Sequence, residues 1–213
     1  VQMASGRPED ARQTLKSTRD AYPEEVTAWT RLIALEQHEG NAPEVDRLLK
    51  DARHRFGDVV PIRIAEARIA VLRRDDDVAT TLESLAELPE DSDYTPEEQN
   101  ALTVTLAISA LRVGAFDLAE RLCRRYADAN QNDLYVRLLL FDLALKSENT
   151  EAMAGVLEEV RGIEGEGPTW HYGRSVVDFL EAREPNLEAS EMERLCTRAV
   201  SHLDQAARDR RGW

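Results

Sequence analysis

Apolar residues recur three and four positions apart along almost the whole chain. Trp29, Leu32, Ile33 and Leu35, followed by Leu48, Leu49 and Ala52, show the spacing that gathers side chains on one helical face. Strict alternation over a strand length is hard to find. Turn signals interrupt the pattern at SGRP, EGN, RFGD, RRDDD, PEDSDYTPEE, VGAFD, SENTE, GEGP and EPN. Eleven helices fit between them, over 8–22, 24–39, 42–56, 59–74, 76–88, 95–113, 115–129, 132–146, 149–162, 168–183 and 187–209.

Several helix starts carry their own chemistry. Thr95-Pro96-Glu97-Glu98 combines an N-cap, a proline at the first helical position and a capping-box glutamate. Pro23-Glu24-Glu25 places a proline and two carboxylates where a helix macrodipole favours negative charge. Gly40 and Gly114 stand where helices should end, at positions that tolerate positive φ. Short loops of this kind make sequential helices antiparallel neighbours.

The hairpins are periodic. Gly6 and Gly40 are 34 residues apart, and equivalent turns fall near Asp75, Gly114, Asn149 and Leu187. Repetition at this length signals a helical solenoid, in which each pair buries its apolar face only against its neighbours.

The repeated unit resembles the tetratricopeptide repeat (TPR). Trp29-x2-Leu32 matches the opening of that pattern, whereas Ile33 and Glu36 replace its Gly and Tyr. Val45-x3-Leu49 before Gly57, Ala11-x3-Leu15 before Pro23, and Ala119-x3-Cys123 before Gln131 occupy the second-helix slots. The stretches 59–88 and 132–162 fit with a one-residue shift, and Trp170 with Gly173 starts a further unit. The resemblance implies an all-α fold: a right-handed α-solenoid of antiparallel helix hairpins, TPR-like, with about 11 helices. It implies units near 1–23 (a half repeat), 24–57, 58–92, 93–130, 131–165 and 166–213 within one solenoid segment, 1–213. The chain opens VQMASGRPED without an initiator Met and closes ARDRRGW, where Trp213 could anchor another repeat. It therefore reads as a piece of a longer solenoid, cut at both ends. Uncapped ends of this kind favour self-association.

Charge narrows the partners. The 213 residues carry a formal net charge of −14, which repels nucleic acid and anionic membranes on average. No nucleic-acid partner is expected. The longest uncharged apolar run, Ala101 to Leu111, is too short to cross a bilayer, so direct membrane insertion is not expected either. Two cysteines make no disulfide framework, which suits the cytoplasm somewhat better than the periplasm.

Candidate chemistry is sparse. His38, His54, His171 and His202 lack metal-ligand spacing. GIEGEGP follows a helix rather than a strand and lacks G-x-G-x-x-G. DSDYTPEE carries Pro96 where a calcium loop needs glycine. The reading is no enzyme, no cofactor and no metal. Cys123 and Cys196 both follow Glu-Arg-Leu, 73 residues apart. Same-phase residues two repeats apart are too distant for a disulfide or a shared metal, so both are expected as buried core thiols.

The expected function is a protein–protein interaction scaffold that holds a peptide or helix in a concave groove. The alternative is a regulatory or assembly domain of a larger multidomain enzyme or a secretion- or envelope-associated protein. The groove stripe is expected from Thr27, Thr30, Ala34, Gln37 and His38; from Ala101, Val104, Ile108 and Arg112; from Tyr135, Leu138 and Asp142; and from His171 and Arg174. Family members that clamp a terminal carboxylate use Lys and Asn at such positions. Here they carry Thr30, Ala34, Val104 and Ile108, so an amphipathic helix or the chain's own adjacent repeats would suit the groove better than a chaperone C-terminus.

Overall fold

A computed structural model describes residues 8–73, 77–89 and 92–209. Among the described residues there are eleven α-helices and no strand. They are α1 (Pro8–Ala21), α2 (Val26–His38), α3 (Ala42–Phe56), α4 (Val60–Arg73), α5 (Val78–Ala86), α6 (Pro96–Val113), α7 (Phe116–Ala129), α8 (Leu134–Lys146), α9 (Thr150–Glu164), α10 (Pro168–Glu181) and α11 (Ala189–Asp209). The helices starting at Val26, Val60, Pro96, Leu134 and Pro168 follow one another at intervals of 34, 36, 38 and 34 residues. The expected landmarks at Gly6, Asp75 and Trp213 lie outside the described residues.

The chain divides into two compact units, one ending at Leu122 and the other beginning at Cys123. In the first, α1 packs on α2, α2 on α3, α4 on α5 and α5 on α6. Alternate helices also touch, α2 with α4 and α4 with α6. In the second, α8 packs on α9, α9 on α10 and α10 on α11. Contact between consecutive hairpin helices is the solenoid-like all-α arrangement that the periodicity requires.

Local chemistry sets the helix ends. Thr95 and Glu98 form the reciprocal capping box at the start of α6. That helix ends at Gly114, whose φ of 79° is the left-handed conformation only glycine adopts without strain. The start of α2 differs from expectation. Pro23 and Glu24 lie in the preceding turn, and Glu25 is the N-cap, its carboxylate accepting from Thr27 N–H. Glu25 itself is in extended backbone (φ −90°, ψ 96°), so the helical turn begins only after it.

The apolar stripes do meet. Leu32, Ile33, Val45, Leu48, Ala65 and Ile69 form a buried cluster flanked by Leu15, Trp29 and Leu49. Polar groups lock the joints. Glu36, which stands in the Tyr slot of the repeat pattern, is buried and accepts from Arg12 Nε (2.6 Å) and Asn41 Nδ2 (2.9 Å). The buried Arg63 donates to the Leu85 and Glu87 carbonyls at the end of α5 and pairs with Asp58, whose carboxyl it holds below the usual range. Arg137 does the same for α7, donating to the carbonyls of Ala127 and Asn130. Each arginine satisfies helix-end carbonyls that a buried joint would otherwise orphan.

The two cysteines part company. Cys123 is buried, as expected, but Cys196 is exposed. On α11 the buried stripe is Leu195, Ala199 and Ala206; Met192, Cys196, Val200 and Leu203 form a second stripe that faces outward. Both stripes have helical spacing, so periodicity alone does not say which one packs on α10. Maleimide labelling of the folded protein should modify Cys196 readily. Cys123 should react at least about a hundredfold more slowly, because its labelling waits on local opening. Equal rates would contradict the assignment.

Among the described glycines, Gly173 is the one most closely packed by side chains. A Cβ there would collide with the Leu157 side chain of α9 and lie 3.4 Å from Phe141 of α8. Gly173→Ala should therefore lower stability by about 1–2 kcal/mol in thermal unfolding, overpacking outweighing the gain in helix propensity. A raised melting temperature would contradict this packing.

Candidate functional site

Because α2, α4 and α6 lie side by side, they enclose a trough in the first unit. Its volume is about 730 Å³. Ile33, Val60, Ala65 and Ile69 form its buried floor; Pro61 and Ile64 are half-buried. Ala34 of α2 and Ala101 of α6 reach solvent, and Leu72 of α4 is 64% exposed at one end. Small side chains at 34 and 101 keep the trough hollow. Its rim is polar: Arg31, Gln37 and His38 on α2, Arg68 on α4, and Glu97 and Glu98 at the start of α6. Glu98 is held by the capping box. A concave apolar floor with a few polar groups at its margin is the usual form of a binding site.

The expected stripe is only partly gathered here. Thr30, Ala34, Gln37 and His38 of α2 and Ala101 of α6 line the trough, and Thr27 is exposed on α2 without lining it. Val104 and Ile108 are half-buried and Arg112 is exposed on α6, all beyond the α6 residues that form the wall. In the second unit, Tyr135 and Leu138 are exposed on α8, where they stand with Tyr172 and Phe179 of α10 among the exposed large apolar side chains. His171 and Arg174 are engaged within the α10–α11 hairpin: His171 bonds His202, and Arg174 pairs with Asp178.

The expected stripe includes no residue of α4, which contributes a wall of the trough. Pro61, Ile64, Arg68 and Leu72 lie three, four and four residues apart, on one helical face. That signal was present, but the one-residue shift of the 59–88 unit against the repeat pattern obscured its phase.

Among the described residues no cluster of three or more His, Cys, Asp or Glu side chains is positioned to hold a metal ion. No helix among them is long and apolar enough to cross a membrane. The site can bury apolar surface and pair charges at its rim, which is the chemistry of recognition. No protein-family model matches this chain, and no curated protein matches it either.

Proposed function

We propose that this chain is a non-catalytic interaction scaffold, a segment of a TPR-like solenoid, whose first-unit trough receives an amphipathic helix of a partner protein. The observation that carries this reading is the apolar floor between α2, α4 and α6. An extended peptide carries unpaired backbone N–H and C=O groups, and needs side-chain amides or an open sheet edge to satisfy them. Ile33, Ile64, Ala65 and Ile69 offer neither. A helix satisfies its own backbone and presents only side chains, so it suits this floor. The net charge of −14 favours a helix whose polar face is basic.

Synthetic helical peptides with leucines at heptad-like spacing and lysines opposite provide the test, read by fluorescence anisotropy. Binding should weaken about tenfold or more, a loss of about 1.4 kcal/mol, in the Ala34→Glu, Leu72→Asp double variant. Both residues are exposed, so helical circular dichroism should be unchanged. Equal affinity for the double variant, or no binding by any such peptide, would contradict the proposal.

A further inference from the structure

The hairpin of α10 and α11 is joined by a polar cluster. Asp178 is fully buried and accepts both arms of Arg198, Nε to Oδ2 at 2.8 Å and Nη2 to Oδ1 at 2.7 Å. Arg174 reaches the same carboxylate from the preceding turn at 2.9 Å. Further along the hairpin, His171 and His202 meet with Nδ1 2.9 Å from Nδ1. Trp170 stands edge-on to both rings.

Two imidazole nitrogens this close bond only if one carries a hydrogen and the other does not. The ring centres are 5.2 Å apart, which puts both nitrogens near the line joining them. Each therefore points at the other. That orientation suits a shared hydrogen and not a shared metal ion, whose ligands must converge on a third point.

Asp178 decides the direction of the bond. Nε2 of His202 lies 3.9 Å from Asp178 Oδ2, so the carboxylate favours the hydrogen of neutral His202 on Nε2. Nδ1 of His202 is then a bare acceptor, and His171 donates from its own Nδ1. A first added proton has a free place, Nε2 of His171, and leaves the bond intact. A second must go to Nδ1 of His202, the atom already accepting. It converts the pair into two imidazolium rings with N–H facing N–H.

We propose that His171 and His202 form a proton-operated latch, in which the second proton taken up by the pair breaks the Nδ1–Nδ1 bond and loosens the α10–α11 hairpin. The surrounding charges agree. Burial is the chief cause holding His202 below its ordinary value of 6.5; His171, Arg174 and Arg198 act in the same direction, and Asp178 opposes them. Glu181 pairs with Arg198, and from α9 Arg161 lies over Trp170 while Glu164 accepts from its backbone N–H. Arginine stays charged throughout and ordinary carboxylates titrate below about pH 5, so imidazole is the kind of group in this cluster whose charge can change between pH 7.5 and 5.5.

A group whose ionisation is depressed in the closed hairpin binds fewer protons there than in the opened one. Its stabilisation is complete above the open-state value near 6.5 and is lost as the pH falls through the lowered closed-state value. The opening equilibrium should then rise by up to about tenfold per pH unit for each extra proton bound.

Amide hydrogen exchange on the full chain at pH 7.5 and 5.5, corrected for intrinsic rates, tests the latch. Opening of α10–α11 should rise several-fold at pH 5.5 relative to α8–α9. His202→Asn, whose amide oxygen can accept from His171 but does not titrate, should abolish that rise. An undiminished pH response in the variant would overturn the proposal. Long-range ¹⁵N NMR of the wild-type imidazoles provides a second reading that needs no variant. At pH 7.5 it should show hydrogens on Nδ1 of His171 and Nε2 of His202; any other tautomer pair would overturn the latch.

Discussion

A first helix in a stack of hairpins has to bury two sides at once, one against its own partner and one against the neighbouring hairpins. α2 shows the consequence: it packs on α1, α3 and α4, and those contacts consume Ala28, Leu32, Ile33 and Leu35. The remaining face, with Thr30, Ala34 and Gln37, is left to the solvent side. α4 is under the same constraint and leaves Ile64, Arg68 and Leu72 over. Side-by-side packing of α2 with α4 and of α4 with α6 aligns these leftover faces into one trough. The trough is thus the geometric remainder of core formation, which is why its floor is apolar and its margin charged.

Shallow cores of this kind place helix ends close to one another, and the joints need polar satisfaction. Arg63 and Arg137 stand at the fourth position of α4 and α8, and each is spent on the terminal carbonyls of the helix before or after it. Glu36 and Asp178 are buried carboxylates, each held by arginine. Buried pairs add little net stability over apolar packing, but losing one partner is costly, so they fix the docking of one helix on another more than they strengthen it. The His171–His202 contact also joins two helices through a polar pair, but as a hydrogen bond between part-buried imidazoles and not as an ion pair.

Helix number and order were legible because the 3.6-residue pattern and the turn chemistry agree at nearly every boundary. The capping box at Thr95 and the left-handed glycines at 40 and 114 are local interactions, complete within a few residues. Helix phase was not fully legible. The α11 sequence offers two apolar stripes, and only the packing on α10 selects Leu195 and Ala199 over Cys196 and Val200. The same ambiguity hid the α4 wall of the trough. His171 and His202, 31 residues apart, gave no spacing signal, because their meeting depends on how two helices align in the hairpin.

A partner helix seated as proposed, between α2, α4 and α6, would lie over Ile33, Ile64, Ile69 and Leu72. Methyl NMR of the isoleucines and leucines, with a bound amphipathic helical peptide carrying a spin label, tests this seating most directly. Relaxation broadening should centre on Ile33, Ile64, Ile69 and Leu72. Broadening confined to residues outside the trough, such as Leu138 on α8 or Leu203 on α11, would contradict it.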